Sequence, residues 1–173
     1  EAEHGEDSAV LLVTHDKALA EFVRQNLPQK IAELPEPHNS ICTKVMSDYG
    51  GIILTENLEQ SITVTNQNAP EHLHLKVADG DNVAKKLKHA GEILIGEYTP
   101  SSLGNYGIGV NHVLPTGGWA HTYSCTSVWD FLKRTSVSHC TKEGFEALKD
   151  DVETLTDYEN FPAHGDVLRK RNI

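Results

Sequence analysis

The order of apolar and polar positions along the chain favours an α/β fold. Short apolar runs rich in Val, Ile and Leu occur at residues 8–14, 51–56 and 92–96, and such runs are typical of buried parallel strands. Residues 72–77 alternate between apolar and polar side chains and predict a further strand. Apolar residues at helical spacing predict helices between these strands, at residues 16–27, 38–50, 57–68 and 79–91, with a second helical segment between the first two that runs to about Leu34.

Strands that alternate with helices across residues 8–96 indicate a mainly parallel, doubly wound sheet, because parallel neighbours need a crossover connection. The pattern stops at residues 97–121, a stretch with many glycines that is too long for a simple connector. Long ordered loops of this kind are usually functional. Helical patterns then return at residues 127–135, 142–155 and 158–171. We therefore expect an α/β domain over residues 1–121, with a glycine-rich active-site loop at 97–121, and a helical tail over 122–173.

Composition and charge limit the kinds of molecule that the protein is expected to bind. The 173 residues carry a net charge of −10 at pH 7, and the longest basic run is the short "RKR" near the C-terminus. Nucleic acids and anionic membranes attract clustered Lys and Arg, so neither is expected as a partner. No apolar stretch approaches the roughly 20 residues of a membrane helix. The acidic start does not have the pattern of a secretory signal, and three cysteines without C-x-x-C spacing predict reduced thiols, so we expect a cytoplasmic protein.

Four places along the chain concentrate side chains that bind metals or transfer protons. They are Glu1 with His4, Glu71 with His72, Asn105 and Tyr106 with His112, and Glu159 with His164. Taken singly, each has an ordinary structural explanation: E-x-x-H pairs arise by chance, a loop histidine often bonds to backbone, and a tail histidine is often solvated. Taken together, the nitrogen and oxygen donors of Glu1, His4, Asn105 and His164 could bind Zn²⁺ and leave a position for substrate. Glu71 and His72 would then form a general acid/base pair beside the metal.

Five stretches of the sequence have the character of family motifs. They are "EAEHGEDS" at the start, "PEHL" at 70–73, "GNYGIGVNHVLPTGG" at 104–118, "KEGFEALKDDVETL" at 142–155 and the closing pair formed by Glu159 and His164. In these stretches the sequence resembles the histidinol dehydrogenase family. They occur in the family's order and cover essentially the whole chain, and "PEHL" together with "NHVLPT" is highly specific.

The resemblance implies an NAD-dependent enzyme that oxidises L-histidinol to L-histidine through the aldehyde, with a bound zinc. It implies that Glu71 and His72 are the catalytic acid/base pair, with His72 taking the alcohol proton and Glu71 activating water on the aldehyde. Zinc would hold the imidazole and amine of the substrate, acting as a template. The implied zinc ligands are Glu1, His4, Asn105 and His164. The resemblance implies that these four residues also contact substrate, together with His72, His112 and Glu159. Because the family's tail residues reach into the partner's site, an intertwined homodimer is also implied.

This chain departs from the family pattern in two respects. At the zinc positions the family usually has Gln at the start and Asp in the loop, whereas this chain has Glu1 and Asn105. The exchange preserves one carboxylate and one amide, so it is either a compensated site or a lost or altered one. Family chains are also much longer, and no G-x-G-x-x-G follows a strand here, so the cofactor-binding residues are unknown. The resemblance thus implies an incomplete, Rossmann-like doubly wound sheet followed by a helical C-terminal tail.

Three functions are compatible with these observations. The first is the metal and substrate half of a histidinol dehydrogenase. The second is a related zinc-type dehydrogenase of another polar alcohol, in which the exchanged positions and the "GGWAH" segment reshape the pocket. The third is a non-catalytic binding or dimerisation module that lacks the cofactor domain.

Overall fold

A computed structural model describes residues 1–171 of the chain. Four short strands alternate with helices in the first part of the chain, and two further helices follow near its end. The strands are β1 (Leu11–Thr14), β2 (Gly51–Leu54), β3 (His72–Leu75) and β4 (Glu92–Ile95). The α-helices are α1 (Lys17–Ala32), α2 (His38–Asp48), α3 (Leu58–Asn68), α4 (Gly80–Ala84), α5 (Ser101–Tyr106), α6 (Lys142–Tyr158) and α7 (Pro162–Arg169). Single 3₁₀ turns cover Ala2–His4, Trp119–His121 and Val128–Phe131.

The predicted mixed α/β fold with parallel strands is confirmed. β1 pairs with β2 in parallel, and β3 pairs with β4 in parallel. The register of the second pair places His72 opposite Glu92 and Leu75 opposite Ile95. Because side chains alternate across a strand, His72 and Glu92 project to the same face of this pair.

A single doubly wound sheet is not confirmed. Among the described residues the strands form two separate two-stranded sheets, with four residues in each strand. The apolar pattern identified each strand correctly, because it reports burial. It carries no information about which strand edges bond to each other, so one continuous sheet does not follow from it.

The first predicted helix and its continuation form one helix, α1. Asp16 caps its start, since the side chain accepts hydrogen bonds from the backbone N–H groups of Ala18 (2.8 Å) and Leu19 (3.2 Å). The helix passes through Pro28 without ending.

The helix predicted over 79–91 is wrong beyond its first turns, because α4 ends at Ala84. The Asn66 side chain on α3 accounts for the early end. Its amide donates to the carbonyl of Lys86 at 3.0 Å, and its oxygen accepts from the N–H groups of Lys88 (2.7 Å) and His89 (3.3 Å). Backbone groups that would continue the helix are thus bonded to a residue twenty or more positions away.

The predicted helix over 127–135 is likewise reduced to a 3₁₀ turn. The side chains of Ser127 and Asp130 bond to nearby backbone groups: Asp130 accepts from the Ser127 N–H at 2.7 Å, and the Ser127 hydroxyl accepts from the Trp129 N–H at 3.2 Å. Such side-chain bonds compete with helical ones. The segment 97–121, predicted without regular structure, contains α5 and a 3₁₀ turn.

The main apolar cluster lies between α3, α4 and the second strand pair. Ile62, Leu75 and Val83 are buried at its centre. Leu94 on β4 lies between Ile93 and Ile95 of this cluster and therefore projects to the other face of the strand pair, where it is 1% exposed. The three cysteines are free thiols. No helix within residues 1–171 is long and apolar enough to cross a membrane.

The chain divides into two compact units, Glu1–Phe131 and Leu132–Ile173. The first contains both strand pairs and the loop at 97–121. In the second, α6 packs on α7, and Gly165 allows the approach because a Cβ there would lie 2.9 Å from the Thr156 hydroxyl. The predicted helix over 158–171 is interrupted at Asn160, which has a φ of 58°.

Candidate active site

A cavity of about 610 Å³ lies in the first unit beside the start of β3. Its wall includes Glu1 and His4 from the first 3₁₀ turn and Glu71 and His72 from the strand. Residues 116–118 of the glycine-rich loop form another part of the wall. Side chains from three sequence-distant segments therefore face one cavity.

His72 is the most constrained side chain of this wall. It is 12% exposed, its Nδ1 lies 3.0 Å from Oε2 of Glu92, and its Nε2 lies 3.6 Å from Oε1 of Glu71. The Glu92 side chain is only 7% exposed, whereas Glu71 is 39% exposed. The ring thus has a buried carboxylate on one nitrogen and an accessible carboxylate near the other, the arrangement that a proton acceptor needs.

Glu1 is held over the same face. The Ser101 hydroxyl of α5 donates to its carboxylate, and the backbone N–H of His4 donates to the Glu1 carbonyl at 3.3 Å. Partial burial by itself would raise the pKa of the Glu1 carboxyl. The Ser101 hydrogen bond and the electrostatic effect of the nearby His72 and His4 rings outweigh burial, so the pKa of the Glu1 carboxyl is lowered. A carboxylate that stays ionised is suited to bind a cation.

Asn105 lies on α5, four residues after Ser101. Its Oδ1 atom is buried and has no hydrogen-bond partner. A buried acceptor without a partner costs free energy, so a native structure normally pairs it with a donor, water or ion. Among residues 1–171, no three His, Cys, Asp or Glu side chains form a group that could hold a metal ion. Such groups do not include amide oxygens. Asn105 is not among the residues that line the cavity, and its Oδ1 atom is available to a donor or a cation.

His112 lies in an anchored part of the glycine-rich loop. The neighbouring Asn111 donates to the Thr126 carbonyl and accepts from the Val113 N–H at 2.8 Å, while the Thr126 N–H donates to the Val113 carbonyl at 3.0 Å. The His112 side chain itself is exposed. The loop is therefore held at the residues flanking His112, and the imidazole is free to contact a ligand.

Gly91 allows the glycine-rich loop to approach the start of β3. Its N–H donates to the Pro70 carbonyl at 2.9 Å, directly before Glu71. A Cβ at this position would lie 2.7 Å from the Glu71 carbonyl and 3.2 Å from Cδ of Pro115. Both neighbours belong to packed backbone or a ring, so neither can move aside cheaply.

We therefore expect Gly91→Ala to lower the free energy of unfolding by about 1–3 kcal/mol, as overpacking usually does. Thermal or denaturant unfolding measures the change. Gly51→Ala is the matched control, because a Cβ there would meet Leu11 at an ordinary 3.7 Å. Equal stability of the two variants would contradict the close approach at Gly91.

The two predicted site residues of the tail lie in the second unit. Glu159 directly follows α6, and His164 lies in the first turn of α7. Both side chains are exposed, and the His164 ring lies 5.2 Å from that of Phe161, centroid to centroid.

Glu92 and Ser101 were not identified from the sequence as site residues. Glu92 begins an apolar run, and a polar residue at a strand's first position is usually solvated. Its pairing with His72 depends on strand register, which sequence pattern does not give. Ser101 precedes the motif residue Asn105 by one helical turn, which was the available signal.

Comparison with known proteins gives one consistent result. The family model described as "Histidinol dehydrogenase" matches residues 1–172. A histidinol dehydrogenase from Synechocystis sp. is 50% identical over 99% of this chain, and one from Methanosarcina barkeri is 38% identical over the same share. Each match covers 39% of the relative. The crystal structure of histidinol dehydrogenase from Elizabethkingia anophelis superposes with a TM-score of 0.86 at 32% identity, covering 97% of this chain and 38% of that one.

Proposed function

The chain belongs to the histidinol dehydrogenase family, and from this premise we propose that it forms the metal and substrate half of an NAD-dependent enzyme that oxidises L-histidinol to L-histidine. The observation that carries the proposal is the cavity of about 610 Å³ whose wall joins Glu1, His4, Glu71 and His72. The chain spans about two fifths of the relatives' length. The activity is accordingly proposed for an assembled enzyme, meaning this chain with the relatives' remaining length supplied.

His72 acts in the first oxidation. Its Nε2, which lies on the side of Glu71, accepts the proton of the substrate alcohol while a hydride leaves the same carbon. One alcohol and one NAD⁺ thus become one aldehyde, one NADH and one proton. NAD⁺ supplies the hydride acceptor in both oxidations, and we assign it no residues of this chain.

Glu71 acts in the second oxidation. At 39% exposure its carboxylate is open to water and to the cavity. It accepts a proton from water that adds to the aldehyde carbon, and His72 returns the proton of the first oxidation to the former carbonyl oxygen, which gives the hydrate. His72 then takes a hydroxyl proton of the hydrate as the second hydride leaves, so that aldehyde, water and NAD⁺ become carboxylic acid, NADH and a proton. Two neighbouring groups of different exposure allow these two roles.

The residues proposed to hold Zn²⁺ are Glu1, His4, Asn105 and His164. The ionised Glu1 carboxylate and the unpaired Asn105 Oδ1 support this set. When bound, the ion supplies a positive charge that orients the imidazole and amine of the substrate. We interpret Glu1 and Asn105 as a compensated exchange of carboxylate and amide. His112 and Glu159, both exposed, are proposed to contact the substrate.

A homodimer with shared sites is part of the proposal. The second unit exposes large apolar side chains along its helices, and an exposed apolar patch of this kind usually marks a surface that binds another protein. They are Leu148, Val152, Leu155, Tyr158, Phe161 and Val167, which are 38–89% exposed. We propose that a second copy covers this face and that His164 and Glu159 enter the partner's site. We also propose that the two strand pairs belong to an incomplete doubly wound, Rossmann-like sheet.

Substrate oxidation tests this function. The assembled enzyme is incubated with NAD⁺ and either L-histidinol or a panel of other polar amino alcohols, and NADH is measured. We expect L-histidinol to give the highest kcat/KM. A preference for another alcohol would favour the related dehydrogenase. Absence of turnover together with absence of NAD⁺ and histidinol binding would favour the non-catalytic module.

A further inference from the structure

We propose that Glu92 is a positioning residue, which holds the His72 ring in one orientation and one tautomer with Nε2 free toward the cavity. The proposal rests on the function proposed above and adds a residue to its machinery. Glu92 does not line the cavity. It acts on the reaction only through His72.

Strand register places the two side chains together. His72 and Glu92 are directly paired residues of β3 and β4, and the Glu92 N–H donates to the Glu71 carbonyl at 2.8 Å. The carboxylate is therefore fixed by the same ladder that fixes the catalytic pair. At 3.0 Å, Oε2 of Glu92 accepts a hydrogen bond from Nδ1–H of His72. A neutral imidazole carries one proton, so a proton on Nδ1 makes Nε2 the nitrogen that can accept another.

The burial of Glu92 is difficult to explain by stability alone. Its side chain is 7% exposed, and its other oxygen, Oε1, is buried without a hydrogen-bond partner. An apolar residue of similar size would fill this space without the cost of desolvating a carboxylate. The hydrogen bond to His72 is what an apolar residue could not supply, and it explains a buried carboxylate at this position.

The surroundings of Glu92 are shaped to admit it. Gly104 of α5 lies over Oε1, and a Cβ there would be 2.9 Å from that oxygen and 3.2 Å from Cδ2 of Leu94. Leu94 is 1% exposed and cannot retreat. With Gly104 above and Leu94 beside it, the carboxylate has little freedom to turn away from the imidazole.

Glu92, His72 and Glu71 therefore have separate roles. Glu92 accepts the hydrogen bond from Nδ1 of His72, and His72 presents Nε2 to the substrate. Glu71, 3.6 Å from Nε2 and more exposed, is left free for water. A partner of this kind that fixes tautomer and ring orientation typically contributes a factor of 10–100 to activity where it has been removed from metal-site histidines.

The test compares Glu92→Gln with the wild type in the assembled enzyme. Gln has nearly the same shape, but its amide can turn and donate to Nδ1, which permits the other tautomer. We expect kcat for L-histidinol to fall by about 10–100-fold with KM unchanged, and Glu92→Asp to fall in between. Glu59→Gln is the control, since Glu59 is 68% exposed in a surface pair with Lys86; its kcat should equal that of the wild type.

Nitrogen-15 spectra of the histidine ring provide a second readout that needs no turnover. We expect the neutral His72 ring of the wild type to carry its proton on Nδ1 and that of Glu92→Gln to show a mixture. A wild-type proton on Nε2, or a Glu92→Gln variant with unchanged kcat and unchanged tautomer, would overturn the inference. If the wild type does not oxidise histidinol, the proposed function fails while the spectra still decide the role of Glu92.

Discussion

Replacing His72 by Gln is expected to lower kcat for L-histidinol by a factor of about 10²–10⁴, the usual contribution of a positioned general base. The imidazole is the group whose Nε2 faces the cavity and Glu71. Gln retains a polar side chain of similar length but cannot accept the alcohol proton. Initial rates of NADH formation in the assembled enzyme measure the change.

Two comparisons make this result specific. Glu71→Gln should leave the first oxidation largely intact and slow the second, so that aldehyde accumulates and can be trapped. His139→Gln, at an exposed position outside the proposed site, should have wild-type kinetics. If His72→Gln keeps its kcat, or if Glu71→Gln yields no excess aldehyde, the assignment of the two steps is wrong.

Zinc is expected to stabilise the assembled enzyme in proportion to the logarithm of its concentration. A ligand that binds only the folded state adds about 2.7 kcal/mol at 100 times its Kd. His164→Ala removes one of the four proposed ligands and should abolish most of this zinc-dependent increase in Tm. The measurement is a series of thermal unfolding curves with zinc alone, after removal of bound metal by a chelator.

The matched variants separate ligand loss from general damage. His139→Ala removes an exposed imidazole of the same unit and should keep the zinc response. Asn105→Asp should increase zinc affinity, because a charged oxygen at the position of the unpaired Oδ1 attracts the ion more strongly. A zinc response unchanged in His164→Ala, or weakened in Asn105→Asp, would contradict the proposed ligand set.

The parts of the fold that depend on local pattern could be predicted from the sequence. Each apolar run formed a strand, and Asp16 caps α1 as its position before an apolar-periodic segment indicates. The errors come from distant residues. The side chain of Asn66 bonds to the backbone of Lys86, Lys88 and His89 beyond the end of α4, and no pattern within 79–91 shows this. The division into two strand pairs is likewise a property of edges that pattern does not report.

The candidate site divides in the same way. Motif spacing identified Glu71, His72, Glu1 and His4, and the structure brings them to one cavity wall. Motif spacing did not identify Glu92, because the pairing of Glu92 with His72 arises from the register of β3 against β4. Residues that react or bind metal can be proposed from their type and spacing. A residue that orients a catalytic group, such as Glu92, is recognised only once the pairing of neighbouring strands is known.

The most direct test of the account is an anomalous-scattering map at the zinc edge, from crystals of the assembled enzyme grown with zinc and L-histidinol. We expect one strong peak at the wall of the cavity, at about 2.0–2.2 Å from an imidazole nitrogen of His4 and from Oδ1 of Asn105, with the substrate alcohol beside Nε2 of His72. A peak bound elsewhere, or histidinol seated away from His72, would contradict the claim that this chain forms the metal and substrate site.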